Sequence, residues 1–331
     1  MPLRTALASL VLAALPVGAQ VPGMTGTLVV TNKAPSTASL VDVASGAVLA
    51  TLPTGNGPHE VVATRDGRIA VVTDYGTGPA PGSTLTVIDV PGRRIARTIA
   101  LGAYRRPHGI AFLPGDSVVA VTVEASQAVL LVDVTRGEVL RAVGTEKAGS
   151  HMVGVTADGR RAWTGDIGSN TVTELDLVAG RALRAIAVPA QPEAINVTPD
   201  GAEVWVGSNA ERIVSAISTA TAAVATAADG FGWPYRVLFT PDAALVVLPD
   251  YRGDAVRVVE RATRRELGRL DFPGAGPQGI TLAADGRVAF LSLSNEARVV
   301  AIELATRRVI GSVPAGDTPD GVAYSRVVVP R

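Results

Sequence analysis

Several kinds of residue are absent or scarce in this sequence, and each absence excludes a class of protein. The 331 residues include no cysteine, and only 4% of them are aromatic. After the first 19 residues, no apolar stretch approaches the roughly 18 residues that a membrane-spanning helix needs. Without cysteine there is no disulfide, no cysteine-linked lipid anchor and no covalently attached c-type haem. The formal net charge is zero, so the sequence does not predict electrostatic attraction of the protein to nucleic acid or to an anionic membrane. Stability must therefore rest on a large apolar core or on ring closure.

The first 19 residues have the pattern of a cleavable export signal. Arg4 supplies a positive start, an apolar run covers residues 6–15, and Val17-Gly18-Ala19 is a small-residue cleavage site. We therefore predict cleavage after Ala19 and a periplasmic or secreted protein. Its single folded domain is expected to span residues 20–331.

One phrase of sequence returns along most of the chain. It starts at Pro58-His59-Glu60, continues as a short apolar strand, turns at Asp66-Gly67 and returns as a second strand that ends at Asp74. Equivalent phrases begin at residues 107, 150, 192, 234, 277 and 319, at intervals of 42 to 49 residues. A period of this size indicates a repeat architecture built from four-stranded units.

The two ends of the chain together supply one further repeat. Residues 26–32 match the second strand of the later repeats and have no strand before them. The missing first strand is present at the other end, in residues 319–324. Pairing of the two removes an open sheet edge and closes the ring. We predict an all-β, seven-bladed β-propeller of four-stranded antiparallel blades, closed by pairing of the C-terminal strand with the N-terminal blade.

Five stretches carry a resemblance to a known family. They are Val29-Val30-Thr31-Asn32, Thr86-Val87-Ile88-Asp89, Pro107-His108-Gly109-Ile110, Thr198-Pro199-Asp200-Gly201 and Thr240-Pro241-Asp242. The chain resembles the YVTN-repeat family of seven-bladed β-propellers, a group similar to lactonase-like and surface-layer propellers. The resemblance covers essentially all of the chain after residue 19 and implies the propeller fold. It implies no single activity, because such propellers include binding proteins, lyases, lactonases and redox enzymes.

All three histidines of the protein occupy the second position of the repeated phrase. Strand direction places His59, His108 and His151 at one mouth of the central channel, and Glu193 has the same position in the next repeat. Three imidazoles and a carboxylate would suit a single transition metal such as Zn, Cu or Fe. Two other interpretations stay open. The rings either fill the channel and bond a neighbouring backbone, or they contact a ligand without a metal.

A polar residue near the end of each second strand is expected at the same mouth. These residues would orient the imidazole rings through hydrogen bonds, without binding the metal themselves, or would contact a ligand directly. The expected pairs are His59 with Asp74, His108 with Glu124, and His151 with Asp166.

A local aromatic cluster stands out because aromatic residues are scarce. Trp233, Tyr235 and Arg236 precede Asp250, which the hairpin returns to the same mouth. Such a cluster would bind an anionic or sugar-like ligand, with the arginine forking onto a carboxylate. The alternative is packing, in which the aromatic rings cover the gap between two blades and Arg236 pairs with Asp250.

The repeat that begins at residue 58 is the longest. Its surplus lies in a Gly/Pro-rich loop at residues 75–82, on the face that carries the histidines. This loop is either a lid over the channel mouth or a tolerated surface insertion.

Taken together, the sequence favours an exported, monomeric binding or scaffold module that acts through its histidine-bearing face. The partner would be a small molecule or a protein at the channel mouth. The alternative is a metal-dependent, lactonase-like hydrolase or lyase in which His59, His108, His151 and Glu193 hold the metal. No residue is assigned a catalytic role, because no nucleophile or phosphate-binding motif is present.

Overall fold

The computed structural model describes residues 20–330, which form an all-β protein. Seven four-stranded antiparallel sheets surround a central channel, which confirms the predicted seven-bladed propeller. Within this range the one helical segment is a 3₁₀ turn at Glu124–Ser126, and no helix is long and apolar enough to cross a membrane. The predicted export signal, residues 1–19, lies outside the described residues.

Each blade has an innermost strand beside the channel and three further strands towards the rim. The innermost strands are β4 (Pro58–Ala63), β8 (Pro107–Phe112), β12 (Ser150–Val155), β16 (Pro192–Val197), β20 (Leu238–Phe239), β24 (Pro277–Leu282) and β28 (Pro319–Ser325). The second strands are β1 (Thr27–Asn32), β5 (Ile69–Gly76), β9 (Val118–Val123), β13 (Arg161–Asp166), β17 (Glu203–Ser208), β21 (Leu245–Asp250) and β25 (Val288–Leu293).

The outer half of each blade is more exposed and completes the sheet. The third strands are β2 (Thr37–Asp42), β6 (Pro81–Asp89), β10 (Ala128–Asp133), β14 (Thr171–Asp176), β18 (Ile213–Ser218), β22 (Ala255–Glu260) and β26 (Arg298–Glu303). The outermost strands are β3 (Val48–Pro53), β7 (Arg94–Ala100), β11 (Glu138–Gly144), β15 (Arg181–Ala187), β19 (Val224–Ala228), β23 (Glu266–Asp271) and β27 (Arg308–Pro314).

Blade 1 is split between the two ends of the chain, as predicted, and blades 2–7 follow in chain order. Its sheet has the order β28-β1-β2-β3, with Leu28 opposite Tyr324 and Val30 opposite Val322. The pairing gives β1 an inner neighbour that the N-terminal segment alone does not supply. The ring is thereby closed by hydrogen bonds between residues almost 300 positions apart.

The apolar core lies between neighbouring blades rather than at the centre of the ring. Val71 of blade 2 and Val121 of blade 3 belong to one buried cluster, and Leu28 of blade 1 and Phe290 of blade 7 belong to another. Both faces of a blade are covered in this arrangement. The second strands are therefore buried along almost their whole length, and some, such as Val118–Val123, are nearly continuous apolar runs instead of alternating patterns.

A β-bulge in each innermost strand prepares the channel mouth. In blade 2, Pro58 lies opposite Asp74 but Val61 lies opposite Val72, so one extra residue is accommodated between the two pairs. The backbone N–H of Glu60 donates to Thr73 Oγ1 at 3.0 Å. The other six blades have the same one-residue shift. The bulge re-aims the second and third side chains of each phrase.

Blade 6 has a shorter innermost strand than its phrase predicts. Strand β20 covers Leu238–Phe239, and Pro234 forms an isolated bridge with Asp250. The residue of β21 beside this segment is Pro249, which accepts a hydrogen bond from the Tyr235 N–H at 2.9 Å. Because proline has no N–H to donate, the regular ladder ends before this point.

Candidate functional site

The second position of the repeated phrase supplies seven side chains at one mouth of the channel, here called the mouth ring. Its members are His59, His108, His151, Glu193, Tyr235, Gln278 and Asp320. Ring centroids are 5.0 Å apart for His59 and His108 and 3.8 Å apart for His108 and His151. His151 Nε2 lies 3.8 Å from Glu193 Oε1. The structure thus brings the four predicted metal-ligand residues together in one arc.

Burial keeps two of the three imidazoles neutral. The desolvation of His59 lowers its pKa to about 4. Burial, helped by the neighbouring imidazoles, lowers the pKa of His108 well below its ordinary value. His59 Nδ1 lies 2.9 Å from the Gly57 carbonyl oxygen, which can only accept, so Nδ1 carries the proton. His108 Nδ1 is buried and has no hydrogen-bond partner among residues 20–330.

Tyr75 and Glu124 complete the arc on the side of blades 2 and 3. Tyr75 packs against His59 and His108 with ring centroids 4.5 and 5.1 Å away. Glu124 Oε2 accepts hydrogen bonds from Tyr75 Oη at 3.0 Å and His151 Nδ1 at 2.9 Å. Burial alone would raise the pKa of Glu124, but His151 and Tyr75 hold it below its ordinary range. Burial and the adjacent Glu124 carboxylate raise the pKa of Tyr75 to about 12.

Sequence reasoning missed Tyr75 although it placed the loop correctly. This residue lies near the end of β5, at the start of the inserted segment 75–82. The insertion extends the β5–β6 hairpin, in which Gly76 pairs with Pro81. An aromatic residue directly after Asp74, in a chain with so few aromatics, was the available signal.

Asp74, Asp166 and Asp250 serve their own blades. Asp74 accepts hydrogen bonds from the Gly55 N–H and from two threonine hydroxyls of β6, Thr84 and Thr86. The hydroxyl groups that donate to Asp166 are those of Ser150, Thr164, Thr171 and Thr173. The N–H groups that donate to Asp250 are those of Gly232, Trp233 and Gly253. Desolvation raises the pKa of Asp74 to about 6 despite these bonds.

Strand register explains why Glu124 differs from these three aspartates. Asp74 lies opposite the first residue of its phrase, Pro58. In blade 3 the residue at this register is Val123, opposite Pro107. Glu124 comes one residue later, in the 3₁₀ turn, and reaches across to His151 of blade 4 rather than to His108 of its own blade. The expected pairing of His108 with Glu124 is therefore replaced by a contact between blades.

A buried ion pair crosses the channel one residue further along the innermost strands. Arg236 Nη2 donates to Glu60 Oε1 of blade 2, 176 residues away in sequence. The same nitrogen lies 4.0 Å from Asp320 Oδ1, and Lys33 Nζ lies 3.2 Å from Asp320 Oδ2. The alternative expectation that Arg236 pairs with Asp250 is wrong, because backbone N–H groups already occupy the Asp250 carboxylate.

The aromatic cluster extends the arc on the side of blades 5 and 6. Trp233 Nε1 donates to Glu193 Oε2 at 2.9 Å, and the Trp233 ring lies 6.0 Å from that of Tyr251. The Arg252 guanidinium stacks over Trp233 at 4.4 Å. Tyr235 is almost fully buried, and its hydroxyl donates to Asp320 Oδ1 at 3.2 Å.

A shared metal ion would require donor atoms of the arc to point at one position. Within residues 20–330, no group of three or more His, Asp or Glu side chains is arranged to hold a metal. The rings of His108 and His151 are tilted against each other at an interplanar angle of 32°. Their nitrogen lone pairs lie in the ring planes. A tetrahedral site needs them to meet at about 2.0–2.1 Å from one metal.

The fold and the mouth ring define a seven-bladed β-propeller with an imidazole-rich channel mouth. A scan of protein-family models gives no match to this chain, and a search of curated proteins gives none either. Among solved structures, the chain is similar to "Kuenenia stuttgartiensis Hydrazine Synthase", with a TM-score of 0.74 and 20% sequence identity. The alignment covers 91% of this chain and 99% of that chain. At this identity the likeness shows the fold alone.

Proposed function

We propose that this chain is an exported propeller of the YVTN-repeat type that binds a ligand at its histidine-bearing mouth. The observation that carries the proposal is the arc of closely packed imidazoles, in which His59 and His108 are held neutral and His108 Nδ1 has no partner among the described residues. A buried polar atom without a partner costs about 1–3 kcal/mol. A ligand or an ordered water that bonds to this atom would recover that cost.

The surrounding groups favour a planar ligand that carries positive charge or N–H donors. Glu124 and Glu193 offer carboxylate oxygens on either side of His151. Arg106 and Arg252 already stack on Tyr75 and Trp233, which shows that these ring faces accept cations. An anionic ligand lacks the arginine that the sequence suggested, because Arg236 is paired with Glu60 inside the channel.

Calorimetric titration of the protein spanning residues 20–331 with benzamidine and with benzoate tests this proposal. We expect benzamidine to bind and benzoate not to bind, because the two probes share a ring and differ in charge. Glu193→Gln should weaken benzamidine binding at least tenfold, whereas Glu138→Gln, exposed on the outermost strand of blade 3, should leave it unchanged. A preference for benzoate, or equal affinity in the Glu193→Gln variant, contradicts the proposal.

The metal-dependent hydrolase or lyase is the second candidate, and one observation favours it. His59 and His108 are held neutral, which is the form that binds a metal. Elemental analysis of protein purified without chelator, beside the His108→Ala variant, separates the two candidates. About one transition metal per chain, lost in the variant, would support the enzyme. Metal-free protein whose melting temperature is unchanged by Zn²⁺ or Cu²⁺ would exclude it.

Export and a monomeric state belong to the same proposal. The segment next to the predicted cleavage site is part of the fold, since Gln20 forms a β-bridge with Ser312 and Val21 is fully buried. Ring closure leaves no open edge between the first and last blades for a second copy to extend. An intact mass that corresponds to residues 20–331, together with a monomer mass by light scattering, is the expected result. Retention of residues 1–19 would exclude cleavage.

A further inference from the structure

The channel contains a cavity that is separate from the mouth ring. Its volume is about 400 Å³, and Glu60 and Arg236 line it together with apolar side chains such as Val62, Phe112 and Val155. None of the seven mouth-ring residues contributes to this lining. The lining comes from the later residues of the innermost strands, so the cavity lies towards the face that carries the Asp-Gly turns.

The mouth ring closes the channel on the histidine side. His108 retains 2% exposure, Asp320 none and Tyr235 7%. Beneath them, the Glu60–Arg236 pair spans the channel. A ligand therefore reaches the cavity from the opposite face and meets this ion pair at its inner end. A volume of about 400 Å³ is within the range of small-molecule pockets, roughly 300–1,000 Å³.

At the inner end of the cavity, Arg236 is a hydrogen-bond donor and Glu60 an acceptor, and the charges around them sum to zero. Arg236 uses Nη2 on Glu60 and Nη1 on the Tyr235 carbonyl, while its Nε has no partner within residues 20–330. The two cations Lys33 and Arg236 balance the two anions Glu60 and Asp320. An ionised headgroup would upset this balance and would also lose its hydration.

We propose that this cavity binds an uncharged small molecule with a short apolar chain and a primary amide headgroup. The amide carbonyl accepts a hydrogen bond from the Arg236 guanidinium, and the amide N–H donates to the Glu60 carboxylate. The apolar chain lies against Phe112, Val155 and their neighbours. The site does not depend on the ligand proposed for the mouth ring.

Titration calorimetry with three six-carbon probes tests the headgroup. Hexanamide, hexanoate and hexylamine carry the same apolar chain with a neutral, an anionic and a cationic headgroup. We expect hexanamide to bind at least ten times more tightly than the other two. No detectable binding of hexanamide, or tighter binding of hexanoate or hexylamine, overturns the proposal.

Two substitutions in blade 3 locate the binding. Ala111→Trp places a large side chain in the cavity lining and should weaken hexanamide binding at least tenfold. Leu140→Trp lies on the exposed outer strand β11 and should leave the affinity unchanged. Ala63→Phe tests the same cavity from blade 2 in case Ala111→Trp does not fold. Unchanged affinity in a folded cavity variant overturns the proposal.

A variant at the mouth ring separates this proposal from the function proposed above. Glu193→Gln should weaken benzamidine binding and leave hexanamide binding intact, because Glu193 does not line the cavity. Loss of hexanamide binding in this variant would place the hexanamide at the mouth and overturn the cavity assignment.

Discussion

At the scale of single residues, a displacement of one position decides which carboxylates reach the histidines. Asp74 and Asp166 lie opposite the first residue of their phrases and bond to their own blades. Glu124 follows its strand and is free to contact Tyr75 and His151. A shift of one residue reverses the direction of a side chain on a strand. Glu124 therefore reaches a neighbouring blade, whereas Asp74 and Asp166 bond within their own.

The histidines give the protein a pH-dependent stability that can be measured at His59. Its pKa is about 4 in the folded protein and about 6.5 in the unfolded chain. The unfolded chain takes up the proton first as pH falls, so the contribution of His59 is complete above pH 6.5 and is lost by pH 4. Between pH 7 and pH 4, the wild-type protein should lose about 3 kcal/mol more unfolding free energy than His59→Asn.

Urea denaturation at the two pH values measures this difference. Asp74 has the opposite effect on stability. Its raised pKa of about 6 means that the folded protein takes up this proton before the unfolded chain does, so protonation of Asp74 stabilises the fold as pH falls. Asp74 is present in both proteins, and its contribution cancels in the comparison. An equal loss of stability in both proteins would show that His59 is not held neutral by burial.

At the scale of the strand, threonine hydroxyls beside the bulges link two pairs of neighbouring blades. Thr31 Oγ1 donates to the His59 carbonyl of blade 2 at 2.8 Å, and Thr122 Oγ1 donates to the His151 carbonyl of blade 4 at 2.5 Å. Thr122 Oγ1 also accepts from the Gly109 N–H. These threonines hold neighbouring innermost strands at a fixed separation and so position the imidazoles.

This close approach of strands predicts a specific role for Gly109. A Cβ at this position would lie 2.6 Å from Met152 Cα, which is backbone of the next blade and cannot move aside. Gly109→Ala should therefore destabilise the protein by about 1–3 kcal/mol. Gly144→Ala is the matched control in the same blade, because no atom lies within 4 Å of the added Cβ. Urea denaturation of both variants checks the prediction, and equal stabilities would contradict it.

At the scale of the whole molecule, the ring is held by apolar clusters between blades and by one split sheet. The four-residue charge cluster crosses the same ring, since Lys33 and Asp320 belong to blade 1, Glu60 to blade 2 and Arg236 to blade 6. Closure therefore fixes both the geometry of the mouth and the inner end of the cavity.

Closure predicts that β28 is more sensitive to substitution than the rim. Val322 is 5% exposed and pairs with Val30 in the split blade, whereas Val309 is 39% exposed on β27. Val322→Asp buries an unpaired charge and should cost about 3 kcal/mol or more. Val309→Asp should change the unfolding free energy by less than about 0.5 kcal/mol. Similar losses in the two variants, measured by urea denaturation, would show that the closing pair contributes no more than the rim.

The sequence by itself determined the number of blades, the split blade and the face on which the histidines meet. These features depend on spacing and strand direction, which a repeated phrase encodes locally. The position of His59, His108, His151 and Glu193 in one arc follows from the same register.

Only the tertiary structure decided which side chains touch. The pairing of Arg236 with Glu60 joins residues 176 positions apart, and no local pattern relates blade 6 to blade 2. The close contact of His108 with His151, the partners of Glu124 and the separate cavity depend on how closely neighbouring blades approach at the axis. That distance is set by bulges, glycines and threonines from several blades at once, which is why the repeated phrase alone did not reveal it.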